Sequence, residues 1–171
     1  MSEIHENTQK RMLFLNVGGI PFTPGDIYKK SLGGTESMLE YLGSTLAKDG
    51  FDIQYVCSVP QKDLDEKKFE DGVYSGIRCH YLANTSGLGS VKAIVDMVSP
   101  EYIIALNAFK MFDCLCLQID DNIKKFIWVH NDIPVTNFFK FRADIYMMFV
   151  SEWQKHRFLK NYKIPEDRRS E

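Results

Sequence analysis

The chain has 171 residues, 44% of them hydrophobic and 26% charged, with a formal net charge of −2. Those proportions describe a globular domain, and a chain of this size buries ~70% of its unfolded surface in a single core. The near balance of charge removes the electrostatic reason to expect nucleic acid as the main partner, and apolar runs such as IYMMFV are too short to cross a bilayer.

The N-terminus, MSEIHENTQKR, is polar and lacks the apolar core of a secretion signal. Residues 1–10 are therefore expected to form a disordered tail, and residues 11–171 a single cytoplasmic domain. Cys57 and Cys79 fall in strand-like runs, and Cys114 and Cys116 make a C-x-C with no second pair, poor spacing for zinc. All four read as free, small, buried hydrophobes.

The apolar run MLFLNV (12–17) ends in Gly18-Gly19 and predicts a buried strand. Residues 20–33 hold Pro21 and Pro24 and show no periodicity, and a loop of that length inside a domain is usually functional or disordered. A helix then opens at Gly33-Gly34. Thr35 or Ser37 can cap it, Ser37 and Glu40 have capping-box spacing, and Met38, Tyr41, Leu42, Thr45 and Leu46 mark a buried face. Gly50 closes it in the left-handed conformation.

Strands are predicted over 51–59, over 73–82 with a bend at Gly76, over 101–106, over 124–131 and over 143–151. The charged stretch 60–72 reads as a solvated loop or short helix. Segment 87–100 carries a helix that Pro100 follows rather than joins, segment 108–122 a second, and 132–142 a loop with some helical character. A last helix over 151–165 has Ser151 and Gln154 as a capping box and Pro165 just past its end. Trp128 and Trp153 are expected in or near the core.

Strands alternating with helices at this spacing imply an α/β fold, a Rossmann-like parallel sheet of about six or seven strands covered on both faces. Right-handed crossovers put the C-terminal ends of the strands on one edge, and ligands bind outside that edge. Gly18-Gly19, the Gly33-Gly34 helix start, Asn107, His130, Asn131 and Asp132 all fall there. A helix N-terminus offers unpaired N–H groups and partial positive charge to a phosphate or carboxylate, and glycines let it come close. Bland alternatives stand beside these readings: a tight turn needing positive φ at Gly33-Gly34, a satisfied core histidine at 130, and an ordinary turn at Asn131-Asp132.

Other function classes fit less well. The glycines do not spell G-x-G-x-x-G, and the second strand ends in Cys57-Ser58 without the acid that takes ribose hydroxyls. No phosphate loop of the G-x-x-x-x-G-K-[ST] type and no G-x-S-x-G elbow is present, so no hydrolase nucleophile is nominated. A flavodoxin-type domain needs a phosphate loop directly after the first strand, where this chain has a proline-containing loop.

The segments GGTE at a helix start, LAKDGFDIQYVC, FIWVHND and FVSEWQKHRFLKNYKIPEDR, in this order, resemble the N-terminal, acceptor-side domain of a family 4 retaining glycosyltransferase of GT-B fold. The resemblance runs from about residue 11 to residue 168. It implies that Gly33 and Gly34 present backbone amides to the donor diphosphate, that His130 lies near the transferred sugar as a catalytic residue, and that Glu36 holds the loop. Asn107, Asn131 and Asp132 become acceptor-side or supporting residues, and loop 20–32 an acceptor lid.

It further implies a nucleotide sugar as donor substrate, no resident cofactor and no metal. The acceptor would be a glycan, a lipid-linked or a protein hydroxyl, and a C-terminal donor-binding domain would sit in the same or another chain. The alternative is a non-catalytic module derived from such a domain that binds a glycan or another subunit. The basic residues Lys155, His156, Arg157, Lys160 and Lys163 read as a solvated helix face, with contact to an anionic membrane or a lipid-linked acceptor as the rival.

Overall fold

Leu13 and Leu15 of strand β1 (Arg11–Asn16) join one apolar layer and Phe14 the other, the period of two that a strand covered on both faces requires. The same division holds along β2 (Asp52–Val59), β5 (Tyr102–Leu106) and β6 (Lys124–Val129). A computed structural model describes residues 9–29, 31–106, 108–130 and 144–161. Full burial of side chains such as Phe14, Tyr55 and Phe112 stabilises the fold by ~1.5–3 kcal/mol each.

The sheet has seven strands in the order β3-β4-β2-β1-β5-β6-β7, where β3 is Gly72–Tyr74, β4 is Ile77–Ala83 and β7 is Ile145–Phe149. Only the edge strand β3 runs antiparallel. Leaving it out, the parallel strands lie in the order third, second, first, fourth, fifth, sixth, the doubly wound Rossmann-like arrangement. Strand order reverses between β1 and β5, which opens the ligand crevice beyond Asn16 and Leu106. Helices α1 (Gly34–Lys48) and α2 (Gln61–Asp65) pack on the Phe14 side. Helices α3 (Leu88–Val98), α4 (Phe109–Cys116) and α5 (Glu152–Asn161) pack on the other.

Several local expectations give way. Residues 73–82 form a hairpin rather than one bent strand: Tyr74 pairs with Ile77, and Ser75 and Gly76 both take positive φ, 51° and 82°. Two positive-φ residues at a turn match the twist of the strands they join. The fully buried residues of α1 are Glu36, Leu39, Glu40 and Gly43; of the expected face, Leu42 and Leu46 pack against the core, whereas Met38, Tyr41 and Thr45 are exposed. Tyr55 turns the helix this way. Its hydroxyl donates to Leu39 O at 2.9 Å and fills the space over Gly43, where a Cβ would meet it at 1.7 Å.

The cap of α1 also differs. Its N-cap is Gly33 with no side-chain bond, Ser37 N donates to Gly33 O, and Glu40 serves the loop instead of a capping box. At α5 half of the expected box forms: Ser151 Oγ accepts from Gln154 N at 3.1 Å, while Gln154 Oε1 accepts from Val150 N, one residue before the cap, at 3.1 Å. Trp128 is buried, but Trp153 is 66% exposed on α5, its ring under the Arg157 guanidinium at 5.2 Å. Cys57, Cys79 and Cys116 are buried and Cys114 is exposed.

Of the predicted tail, residues 1–8 lie outside the described residues, while Lys10 O accepts a hydrogen bond from Asp52 N. The loop 132–142, Lys163 and Pro165 also lie outside them. No described helix is long and apolar enough to cross a membrane.

Candidate functional site

Four glycines stand near the switch point, and they differ in why they are glycine. Gly18 has φ +95°, a conformation that other residues rarely adopt, and its N–H donates to Ser58 Oγ at 2.8 Å. Ser58, at the place where a dinucleotide-binding strand carries an acid, thus serves the protein's own backbone. Gly19 leaves room for Asn16, whose Oδ1 lies 2.0 Å from where a Cβ would sit. At Gly33 the corresponding space is taken by Glu36 Oε2 at 2.4 Å and Ile20 Cδ1 at 3.2 Å.

Gly34 has none of these reasons. Nothing lies within 4 Å of where its Cβ would be, and positive φ is confined to Gly18, Gly25, Gly50 and Gly76 among the described glycines. The tight-turn explanation for Gly33-Gly34 therefore fails, since Gly33 has φ −64°. Glycine at the first position of a helix costs ~0.5–1 kcal/mol against alanine in backbone entropy. What that glycine leaves behind is bare backbone at an uncapped helix start, where the first N–H groups have no intrahelical partner.

His130, just past the end of β6, is drawn to the same place. Its Nδ1 lies 2.9 Å from Thr35 Oγ1, and its ring meets Trp128 edge-on at 5.8 Å between centroids. The bond forms with either tautomer. In the neutral ring Nε2 then takes the role opposite to Nδ1, as donor or acceptor. His130 is half-buried, so it is neither a fully enclosed core residue nor a surface one.

The loop before α1 is strapped to that helix by two buried carboxylates one turn apart. Glu36 Oε1 accepts from Ile20 N and Glu40 Oε1 from Gly25 N, each at 2.9 Å. Asn16 Nδ2 adds a bond to Ile20 O at 3.1 Å, and Tyr81 OH bonds to Phe22 O and to Thr23 Oγ1. Phe22 is fully buried. Residues 20–25 of the stretch expected as an acceptor lid are thus hydrogen-bonded to β1, β4 and α1. Glu36 holds it, and its charge near the helix start also stabilises α1.

The two buried thiols of β2 and β4 are not poised to react. Burial pushes the Cys79 thiol up to about 12 and raises that of Cys57 as well, so both stay protonated at neutral pH and neither is a ready nucleophile. Among the described residues no group of three or more His, Cys, Asp or Glu side chains is placed to hold a metal ion.

Of the predicted site residues, Gly33, Gly34, Glu36 and His130 come together around the start of α1. Asn107, Asn131 and Asp132 lie outside the described residues. Thr35 and Glu40 were visible in the sequence only as helix-cap candidates. A polar residue beside a glycine pair at a helix start was the one hint of Thr35's role. No family model, curated protein or solved structure matches this chain.

Proposed function

We propose that this chain is the acceptor-side domain of a retaining glycosyltransferase. It would move a sugar from a nucleotide sugar to an acceptor hydroxyl on a glycan, lipid-linked or protein substrate. The observation that carries the reading is the Thr35–His130 bond, which sets an imidazole beside a side-chain-free, uncapped helix start at the switch point. In this reaction the anomeric C–O bond breaks and the nucleoside diphosphate leaves with its electron pair. The acceptor oxygen bonds to that carbon, and its hydroxyl proton passes to an oxygen of the departing diphosphate. Charge therefore builds on the departing phosphate, where preorganised N–H donors are worth most. The amides of Gly34 and Thr35 are such donors, and His130 would hydrogen-bond the sugar and fix the anomeric carbon. A second domain, in the same or another chain, would supply the nucleotide contacts.

The test is a titration of ¹⁵N-labelled protein with UDP-glucose and GDP-mannose, followed by NMR. Shifts concentrated at the amides of Gly33, Gly34, Thr35 and Glu36 and at the His130 ring are expected. Spectra unchanged with both sugars at millimolar excess would overturn the reading.

A further inference from the structure

At the edge of the sheet opposite the switch point, β1, β2 and β4 carry polar residues where the layer under α3 would otherwise continue. Leu13 is paired through Gln54 to Arg78, Leu15 through Val56 to His80, and Arg11 to Asp52. Residues paired in this way share a face of the sheet, and Leu13, Leu15 and Val56 belong to the α3-side layer. Arg11, Asp52, Gln54, Arg78 and His80 therefore stand on that face too. With Asp71 they line a groove of about 440 Å³, a volume in the range of small-ligand sites. Five steps of β1, about 16 Å, separate it from the ligand edge.

The polar groups of the groove are unevenly spent. Arg11 Nη1 donates to Val98 O at 2.5 Å and closes the end of α3. Asp52 Oδ2 accepts from Gln54 Nε2, and Asp71 Oδ1 accepts from Tyr81 N at 2.7 Å. His80 is only 6% exposed, and its Nε2 donates to Gln54 Oε1. Among the described residues, the buried side-chain atoms without a partner are confined to Glu40, Asp113 and Lys125, so Nδ1 of His80 opens on the groove that the ring lines. Burial lowers the pKa of the ring, which keeps it neutral and leaves Nδ1 as an acceptor. Arg78 makes no hydrogen bond or ion pair with any described residue, and all its donors are left for a ligand.

These unspent groups are of both kinds. The guanidinium fork of Arg78 suits a carboxylate. The groups beside it suit an ammonium: pairing of Gly72 with Cys79 sets Asp71 opposite His80, a carboxylate against an imidazole acceptor. Arg78 and His80 stand two residues apart on β4, ~7 Å. Two guanidinium groups and two carboxylates give the groove no net charge while His80 is neutral, so neither a plain anion nor a plain cation is favoured. Met97, 65% exposed, adds an apolar side.

We propose that this groove binds a free α-amino acid with an apolar side chain. Its carboxylate lies on Arg78, its ammonium between Asp71 and Nδ1 of His80, and its side chain against Met97. The assignment is independent of the transferase reading.

The experiment is titration of ¹⁵N-labelled protein at neutral pH with L-leucine, L-methionine and L-phenylalanine, each to millimolar excess, followed by NMR. Saturable shifts at the amides of Gly72, Arg78, Cys79 and His80 are expected with at least one of them. The compounds 4-methylpentanoate and 3-methylbutylamine keep the leucine side chain and one charge each, and each should bind about tenfold more weakly than leucine. Arg78→Gln removes the charge from an exposed side chain, and Asp71→Asn keeps an oxygen for the Tyr81 N–H. Each should weaken binding about tenfold, with thermal unfolding unchanged. No saturable shift with any of the three amino acids would overturn the inference. So would 4-methylpentanoate or 3-methylbutylamine binding as tightly as leucine, which would make the groove a site for a single charge. Binding unchanged in the Arg78→Gln protein would overturn it as well. None of these outcomes bears on the transferase reading, which stands or falls with the nucleotide-sugar titration.

Discussion

The Thr35 hydroxyl and Nδ1 of His130 stand 2.9 Å apart although 95 residues separate them in the chain. The helix start and the end of β6 are thereby tied into one unit across the switch point. Thr35 is a positioning residue in the proposed reaction and His130 the one that meets substrate. In a complete transferase, His130→Ala is expected to lower turnover by about 10²-fold with the fold intact. Thr35→Val, which keeps the shape and removes the hydroxyl, should lower kcat with little change in KM, and Thr35→Ser should restore it. Equal kcat in the valine and serine variants would remove Thr35 from the mechanism.

Gly34 supplies a test in which stability and function move in opposite directions. Its Cβ space is open and its φ is not positive, so Gly34→Ala should stabilise the fold by ~0.5–1 kcal/mol. In the proposed reaction the added methyl would stand where the donor phosphate approaches, so the affinity for UDP-glucose should fall. Gly33→Ala is the contrast: its Cβ would sit 2.4 Å from Glu36 Oε2, and it should destabilise. Thermal unfolding and the nucleotide titration together decide. A Gly34→Ala protein that is more stable and binds UDP-glucose unchanged would deny the bare backbone any part in binding.

How much of this was readable from the chain depends on how local its cause is. The parallel sheet and the ligand edge follow from apolar runs such as LFLN and IIAL and from the helices between them, and the order of those elements admits few topologies. The hairpin at Ser75-Gly76 was missed because a non-glycine residue takes positive φ there, which residue type alone argues against. The rotation of α1 was missed for a different reason. Periodicity assigns apolar residues to the core, but Glu36 and Glu40 are buried because distant N–H groups at Ile20 and Gly25 pair with them. Such pairing has no local signature. The meeting of Thr35 and His130 is legible as an edge of the sheet and invisible as a distance.

Glu40 makes the strap sensitive to pH. Burial raises its carboxyl above the ordinary range, the Gly25 N–H and the Ser44 hydroxyl pull it back, and Asp26 adds a push upward. The folded chain therefore binds this proton more tightly than the unfolded one. The group's contribution to stability is complete below the ordinary carboxylate pKa and is lost as pH rises through the raised value. Glu40→Gln keeps an oxygen for Gly25 and removes the charge. Its melting temperature relative to the parent protein should rise from about pH 4 to about pH 8. A difference that stays constant over that range would show that Glu40 has no raised pKa in the fold.

His80 works in the opposite direction on the far edge of the sheet. Its Nε2 donates to Gln54 Oε1 at 2.9 Å, while Gln54 Nε2 donates to Asp52 Oδ2 at 3.1 Å. That relay places the proton of the neutral ring on Nε2 and leaves Nδ1 to take the second. Burial lowers the pKa of the ring, Asp71 offsets part of the fall, and Arg78 adds to it. A depressed histidine favours the fold while neutral. Its contribution is present above the ordinary value of 6.5 and is lost as pH falls through the lowered one. His80→Gln preserves a donor for Gln54 and cannot become charged, so the decline in stability over the acid range below 6.5 should flatten. Urea unfolding across that interval gives the slope directly. An acid limb equally steep in the variant would assign it to carboxylates elsewhere, and would leave the relay as packing alone.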